Sequence, residues 1–138
     1  TKKELYDYIK INNGKIFINN DDAILSEISK DIYAISYGLN GDINGSIKES
    51  SIFTNVQFNS HIIETQLIGT YQFYNIMLSI AVATHFGIKL KNISKALTTY
   101  KPSNNRSQVI NTKNNVELIK IAKSRNYNFL KTSCRTEI

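Results

Sequence analysis

The sequence predicts an α/β fold: a mostly parallel sheet with flanking helices, plus an antiparallel hairpin. Three observations predict it. Residues 15–19 and 32–37 are short, apolar, β-branched runs that enclose an amphipathic segment with brief loops, which is the unit of a parallel sheet. Residues 46–58 and 61–66 alternate apolar and polar positions on either side of Asn59-Ser60, as the two arms of a hairpin do. Residues 71–86 carry the broad apolar stripe of a core helix.

Each element has a local cause. Leu5, Tyr8 and Ile9 recur at helical spacing, and Asn13-Gly14 stops that helix. The strand 15–19 ends at Asn19-Asn20-Asp21-Asp22, where turn chemistry and capping explain the paired carboxylates. Asp22 caps a short helix through Ser29, with Ile24, Leu25 and Ile28 expected inward. A second strand closes at Gly38, and 41–45 reads as a loop. After Gly69 comes the long helix, with Phe73, Tyr74, Met77, Leu78, Ala81, Val82 and Phe86 on its apolar side and Gly87 beyond its end. Asn92 is expected to cap a further helix, 93–100, with Ile93, Ala96, Leu97 and Tyr100 inward, and Pro102 stops it. Residues 103–107 read as a polar linker, 108–111 as a strand, and 116–131 as either strand or helix.

Composition narrows the function classes. With 41% hydrophobic and 20% charged residues among 138, the chain is neither disordered nor fibrous. No apolar run approaches the ~18–20 residues of a membrane span. The chain does not start with Met, and Thr1-Lys2-Lys3-Glu4 lacks the apolar stretch of a signal peptide, so a start in mid-sequence or a processed chain is expected. The one cysteine, Cys134, allows no internal disulfide and no cysteine metal cage, and a cytoplasmic setting follows as the expectation. The net charge of +6 favours anionic partners. Its densest stretch, Lys113, Lys120, Lys123, Arg125, Lys131 and Arg135 against Glu117, lacks the interleaved aromatics of a nucleic-acid surface, with only Tyr127 and Phe129 nearby. His61 and His85 show no ligand spacing, and neither Gly-x-x-x-x-Gly-Lys-Ser/Thr nor Gly-x-Gly-x-x-Gly occurs.

Four segments carry a resemblance. They are Lys2-Lys3-Glu4-Leu5, Phe17-Ile-Asn-Asn-Asp-Asp22, Leu67-Ile-Gly-Thr-Tyr-Gln-Phe-Tyr-Asn75 through Phe86-Gly-Ile88, and Tyr100-Lys-Pro-Ser-Asn-Asn-Arg-Ser-Gln108. In this order and at these spacings, residues 1–117 resemble the Mur ligase family. The likeness is to the type that adds D-alanyl-D-alanine to UDP-N-acetylmuramoyl-tripeptide, and the last segment is the most specific. The resemblance implies a fragment of an ATP- and Mg²⁺-dependent amide ligase of peptidoglycan synthesis, a cytoplasmic monomer without nucleic-acid or membrane partners. ATP phosphorylates the peptide carboxylate, and an amine then attacks the acyl phosphate. It divides the chain into 1–103, the later half of the central ATP-binding domain, and 104–138, a linker with a truncated or aberrant start of a C-terminal α/β domain. The phosphate-binding loop is expected upstream, so the fragment is not expected to catalyse alone.

The resemblance also implies roles for residues. Lys2 stands where the family has a lysine that is commonly carbamylated and then bridges metal. Asn75 matches the final Asn of Gly-x-His-Asn-x-x-Asn, which approaches adenine, while Tyr71 and Gln72 replace the motif's His and first Asn. Tyr71 offers a ring that stacks on a base. Arg106 matches the linker arginine that faces ATP phosphate. Another Mur ligase or a folylpolyglutamate synthase is the same-class alternative, and a small basic nucleic-acid-binding module is the alternative of another class.

Overall fold

Phe73, Ile76, Met77, Ile80 and Ala81 recur at the spacing that puts side chains on one helical face, and all five are buried. They belong to helix Gln72–His85, around which the molecule is built. The structure is a computed structural model that describes residues 2–48, 52–102, 108–111, 116–119 and 131–133, with side chains for 3–48 and 52–102. In chain order the elements are α1 (Lys2–Ile11), β1 (Lys15–Asn19), α2 (Ala23–Ile28), β2 (Tyr33–Gly38), β3 (Ile43–Lys48), β4 (Asn55–Phe58), β5 (His61–Ile63), α3 (Gln72–His85), α4 (Leu90–Thr99), β6 (Gln108–Asn111), β7 (Val116–Ile119) and β8 (Lys131–Ser133).

The first five strands form one mixed sheet in the order β1-β2-β3-β4-β5. Its β1–β2 and β2–β3 pairs are parallel, and its β3–β4 and β4–β5 pairs are antiparallel. Helix α3 lies across β1 to β4, and α4 packs against α3 and β5. The core is Val56, Phe58, Ile63 and Leu67 against the α3 face, closed by Ile93 of α4. Strands β6, β7 and β8 form a second sheet, antiparallel throughout.

Most predicted elements are present. Asp22 caps α2, its carboxylate accepting from the backbone N–H of Ile24 and Leu25 at 3.0 and 3.1 Å. The turn at Asn59-Ser60 joins β4 to β5, with Asn59 at φ 53°. Other details differ from expectation. The alternating stretch 46–58 is not one hairpin arm but parts of β3 and β4, which pair with each other. Ile43, Asn44 and Gly45, read as loop, begin β3. The signal was hidden because β2 and β3 pair in parallel after only four residues, far fewer than a crossover needs. Asp42 makes this possible. Its carboxylate accepts from the N–H and hydroxyl of Ser36 at 3.2 and 2.6 Å, and its own N–H donates to that hydroxyl at 2.8 Å, folding the connection into a tight loop. Only Tyr37–Ile43 and Gly38–Asn44 pair across this seam.

Asn92 does not cap α4, which starts at Leu90 with Lys89 in the cap position and no side-chain cap bond. Ile24, Phe86 and Tyr100, expected inward, are exposed, as is Ala96. Ile24 sits on a helix of two turns that buries no residue at all. Phe86 falls past the end of α3, where its ring meets His85 edge-on at 5.3 Å instead of the core. His61 and His85 are exposed, as expected of surface histidines. Cys134 and most of 120–138 lie outside the described residues.

Two measurements check this architecture. Phe73 is 1% exposed, so Phe73→Ala is expected to cost about 3–5 kcal/mol in urea unfolding. The Ser36 hydroxyl and then its N–H hold the Asp42 carboxyl below the usual carboxylate range. The stabilisation from that loop is therefore present above the ordinary carboxylate value and lost as pH falls through the lowered one. Ser36→Ala should return the Asp42 titration, followed by carbon-detected NMR, towards the ordinary value.

Candidate functional site

Between α3 and α4 runs a cleft of about 520 Å³. Its walls follow from how three polar side chains fold the segment after β5. Thr54, Asn55 and Thr65 are buried, at 5, 7 and 4% exposure, and each is bonded. The Thr65 hydroxyl donates to the Thr54 carbonyl at 2.8 Å and accepts the Leu67 N–H at 3.1 Å. The Asn55 side-chain oxygen accepts the Thr65 N–H at 3.1 Å. The Thr54 hydroxyl donates to the Gly69 carbonyl at 2.7 Å, and the Thr54 N–H to the Leu67 carbonyl at the same distance. A single antiparallel bridge, Phe53–Ile68, completes the tie. No buried side-chain polar atom among the described residues lacks a partner, which is what a buried network needs in order to rigidify its surroundings.

The network delivers the chain to the start of α3 in one geometry. Gly69 has φ 97°, and a Cβ there would lie 2.6 Å from the Tyr71 ring, so backbone and ring approach as only glycine permits. The Gly69 and Thr70 carbonyls accept the Gln72 and Phe73 N–H groups at 2.9 and 3.0 Å, satisfying the first turn without a capping side chain. Tyr71, Gln72, Asn75 and Ser79 then line one wall, with Leu67 and Ile76 beneath. The opposite wall comes from α4 and the residues after it, Tyr100 and Pro102 among them. Gln66 links the two sides, its side-chain nitrogen donating to the Thr98 carbonyl at 3.0 Å.

The polar groups of the first wall are ordered. The Asn75 side-chain nitrogen donates to the Gln72 side-chain oxygen at 2.9 Å. The Ser79 hydroxyl donates to the Asn75 carbonyl at 2.8 Å. Tyr71 is 56% exposed at the cleft's edge, and Tyr100 54%. Two aromatic rings, two amides and an apolar floor suit a flat heteroaromatic ligand with hydrogen-bonding edges.

On the other side of α3, Tyr74 contacts Asp21. Burial first, and then the Asp21 carboxylate that its hydroxyl bonds, push the Tyr74 hydroxyl above the ordinary phenolic range. Asp21 also accepts the Leu39 N–H at 2.6 Å and the Asn40 side-chain nitrogen at 2.9 Å. The Asp21-Asp22 pair therefore serves turn and cap, as its sequence context predicted.

Of the four residues singled out in the sequence, Tyr71 and Asn75 share the cleft. Lys2 begins α1, which contributes nothing to the lining, and its side chain lies outside the described residues, as does Arg106. Sequence reasoning left Ser79 and Tyr100 out of the site. Tyr100 was read as a core residue by its spacing, and only its place beside Pro102 at the end of α4 signalled otherwise. Among the described residues no group of three His, Cys, Asp or Glu could hold a metal ion. No helix among them is long and apolar enough to cross a membrane.

Residues 1–83 match the model of the Mur ligase middle domain. No curated protein sequence matches the chain. Solved structures do. One crystal structure of MurF from Acinetobacter baumannii is 20% identical with a TM-score of 0.64, the similarity covering 85% of this chain and 27% of that one. A structure titled as the UDP-N-acetylmuramoylalanyl-D-glutamyl-2,6-diaminopimelate–D-alanyl-D-alanyl ligase of the same organism is 20% identical with a TM-score of 0.65, over 85% of this chain and 28% of that one. At this identity the likeness is one of fold, and the chain spans little more than a quarter of either structure's length.

The buried network gives the expected outcome that checks this geometry. Thr65→Val keeps the shape but leaves the Leu67 N–H and the Thr54 carbonyl each short of a partner, and should cost about 1–3 kcal/mol per orphaned group in chemical denaturation.

Proposed function

Because the chain belongs to the Mur ligase family through its middle domain, we propose that the cleft between α3 and α4 holds the adenine end of ATP in an amide ligase of peptidoglycan synthesis. The reaction we propose joins D-alanyl-D-alanine to the tripeptide of a UDP-N-acetylmuramoyl-peptide through an acyl phosphate. The observation that carries the reading is that Asn75 and Tyr71, which occupy positions of the family's adenine motif, open onto one cleft with Tyr100 and Pro102. Residues 1–103 are then part of the central ATP-binding domain, and 104–138 the linker and the beginning of the C-terminal ligase domain.

The described residues fit the base and not the metal. The two rings at the cleft's edge offer faces for stacking. The Asn75 carboxamide, bonded to the Gln72 side chain, offers hydrogen-bonding capacity for the edge of a base. The apolar floor of Leu67 and Ile76 excludes water from the face of a bound base. ATP, when bound, supplies the phosphoryl group that activates the carboxylate. For Mg²⁺ the described residues provide no ligand set. Arg106 follows Pro102 by four residues in the sequence. We assign it to the ATP phosphates, and Lys2, as a carbamate, to metal bridging in the intact enzyme. Both assignments rest on the motifs that carry them.

The test is nucleotide binding to this chain, followed by titration calorimetry or by NMR of the Asn75 and Gln72 side-chain amides. ATP should shift both amides, and Asn75→Leu should weaken binding by roughly tenfold or more, the worth of a good base-edge contact. ATP binding that is unchanged by Asn75→Leu would remove the cleft from the reading. Tight, salt-sensitive binding of an oligonucleotide in place of ATP would favour the basic nucleic-acid module instead.

A further inference from the structure

Asn precedes Gly three times in this sequence, at Asn13-Gly14, Asn40-Gly41 and Asn44-Gly45. Glycine has no side chain to shield its backbone nitrogen, so that nitrogen can reach the preceding carboxamide and displace ammonia from it. The attack needs a carboxamide free to swing and a backbone free to turn, and the fold grants these unequally. Asn44 and Gly45 lie in β3, where Asn44 pairs with Gly38 on one side and Gly45 with Phe58 on the other. The Asn44 side-chain nitrogen also donates to the Gly41 carbonyl at 3.3 Å. Asn40 donates to the Asp21 carboxylate through its N–H at 3.3 Å and its side-chain nitrogen at 2.9 Å, and its carbonyl accepts from the Asn20 side chain at 2.9 Å. Gly41 is buried, and a Cβ on it would lie 2.6 Å from the Tyr37 backbone, so this link has no room to turn.

Asn13 is held differently. It is exposed, with φ 52°, and its carboxamide has no partner among the described residues. The Gly14 N–H donates to the Ile9 carbonyl at 2.8 Å and the Asn13 N–H to the Lys10 carbonyl at 3.2 Å, and both bonds belong to the last turn of α1. None of residues 3–11 is buried, and the Lys10–Asp31 ion pair at 2.6 Å is exposed, so the end of α1 opens at little cost. We propose that Asn13 is a site of spontaneous deamidation, the first of the three to react. Once the turn opens, the Gly14 nitrogen bonds to the Asn13 side-chain carbonyl carbon as the bond from that carbon to the amide nitrogen breaks. The Gly14 proton leaves with the amide nitrogen as ammonia. The five-membered imide then takes up one water. Opening at the side-chain carbonyl gives aspartate, and opening at the backbone carbonyl gives isoaspartate, with the chain running through the side chain. Either product carries a negative charge at the carbonyl end of α1, where the helix dipole disfavours it.

The experiment ages the full chain in mildly alkaline buffer, folded and in urea, and follows each asparagine by mass spectrometry of tryptic peptides. Cleavage after Lys10 and Lys15 isolates Asn12 and Asn13, and cleavage after Lys30 and Lys48 isolates Asn40 and Asn44. Fragmentation then assigns the acid within each peptide and tells aspartate from isoaspartate. In the folded chain Asn13 should convert roughly tenfold or more faster than Asn40 or Asn44, because only its bonds open with a helix end. In urea the three should convert at comparable rates. Acid appearing at Asn40 or Asn44 as fast as at Asn13 in the folded chain overturns the proposal, as does acid at Asn12 in place of Asn13. A folded chain whose Asn13 stays intact while the chain in urea converts overturns it, and so does a preference for Asn13 no greater than the one seen in urea.

Discussion

Three small polar side chains set the shape of this molecule's working face. Thr54, Asn55 and Thr65 are buried where the chain leaves β5, and each is spent on the backbone of a segment that has no regular structure. A loop with buried backbone polar groups survives only if those groups are paired. Here hydroxyls and an amide do the pairing that a sheet ladder does elsewhere. The entry of α3 is fixed as a result, along with the close approach of Gly69 to Tyr71 and the separation of the two cleft walls that Gln66 spans. The apolar face of α3 supplies the free energy of burial, and the hydroxyl network decides which residues of α3 face the cleft.

Much of the fold was legible in the sequence because local and global signals agreed. The cap at Asp22, the strand 15–19, the turn at Asn59-Ser60 and the long apolar helix each rest on a pattern that needs no distant partner. The misreadings lie where distant partners decide. The start of β3 looked like a loop because its parallel partner is only four residues away, a connection that depends on Asp42 folding back onto Ser36. The start of α4 was misplaced because it has no capping side chain to announce it. Ile24 and Phe86 have inward spacing on elements that end before the core does.

The candidate site was legible in part, and through motif more than through physics. Spacing alone marks Tyr71 and Asn75 as helix residues like any others. Their common cleft depends on the hydroxyl network, which no local pattern reveals, because Thr54 and Thr65 are eleven residues apart. The departure from the family motif at Tyr71 and Gln72 reads differently in three dimensions. Tyr71 is the ring that Gly69 accommodates, and Gln72 bonds the Asn75 side chain. The replacements form a coherent set with their neighbours and do not leave gaps.

Asp21 is tied on one side to the loop after β2 and on the other to Tyr74. Gly38, at φ 137°, leaves the space that its carboxylate occupies, and any Cβ there would collide with it. These three positions, far apart along the chain, therefore behave as one lock between the parallel half of the sheet and the axial rotation of α3. Loss of any one member releases the other two from their purpose, so energetic penalties at these positions should not sum. Because Tyr74 adjoins Asn75, the rotational setting this lock imposes is inherited by the cleft on the far side of the helix.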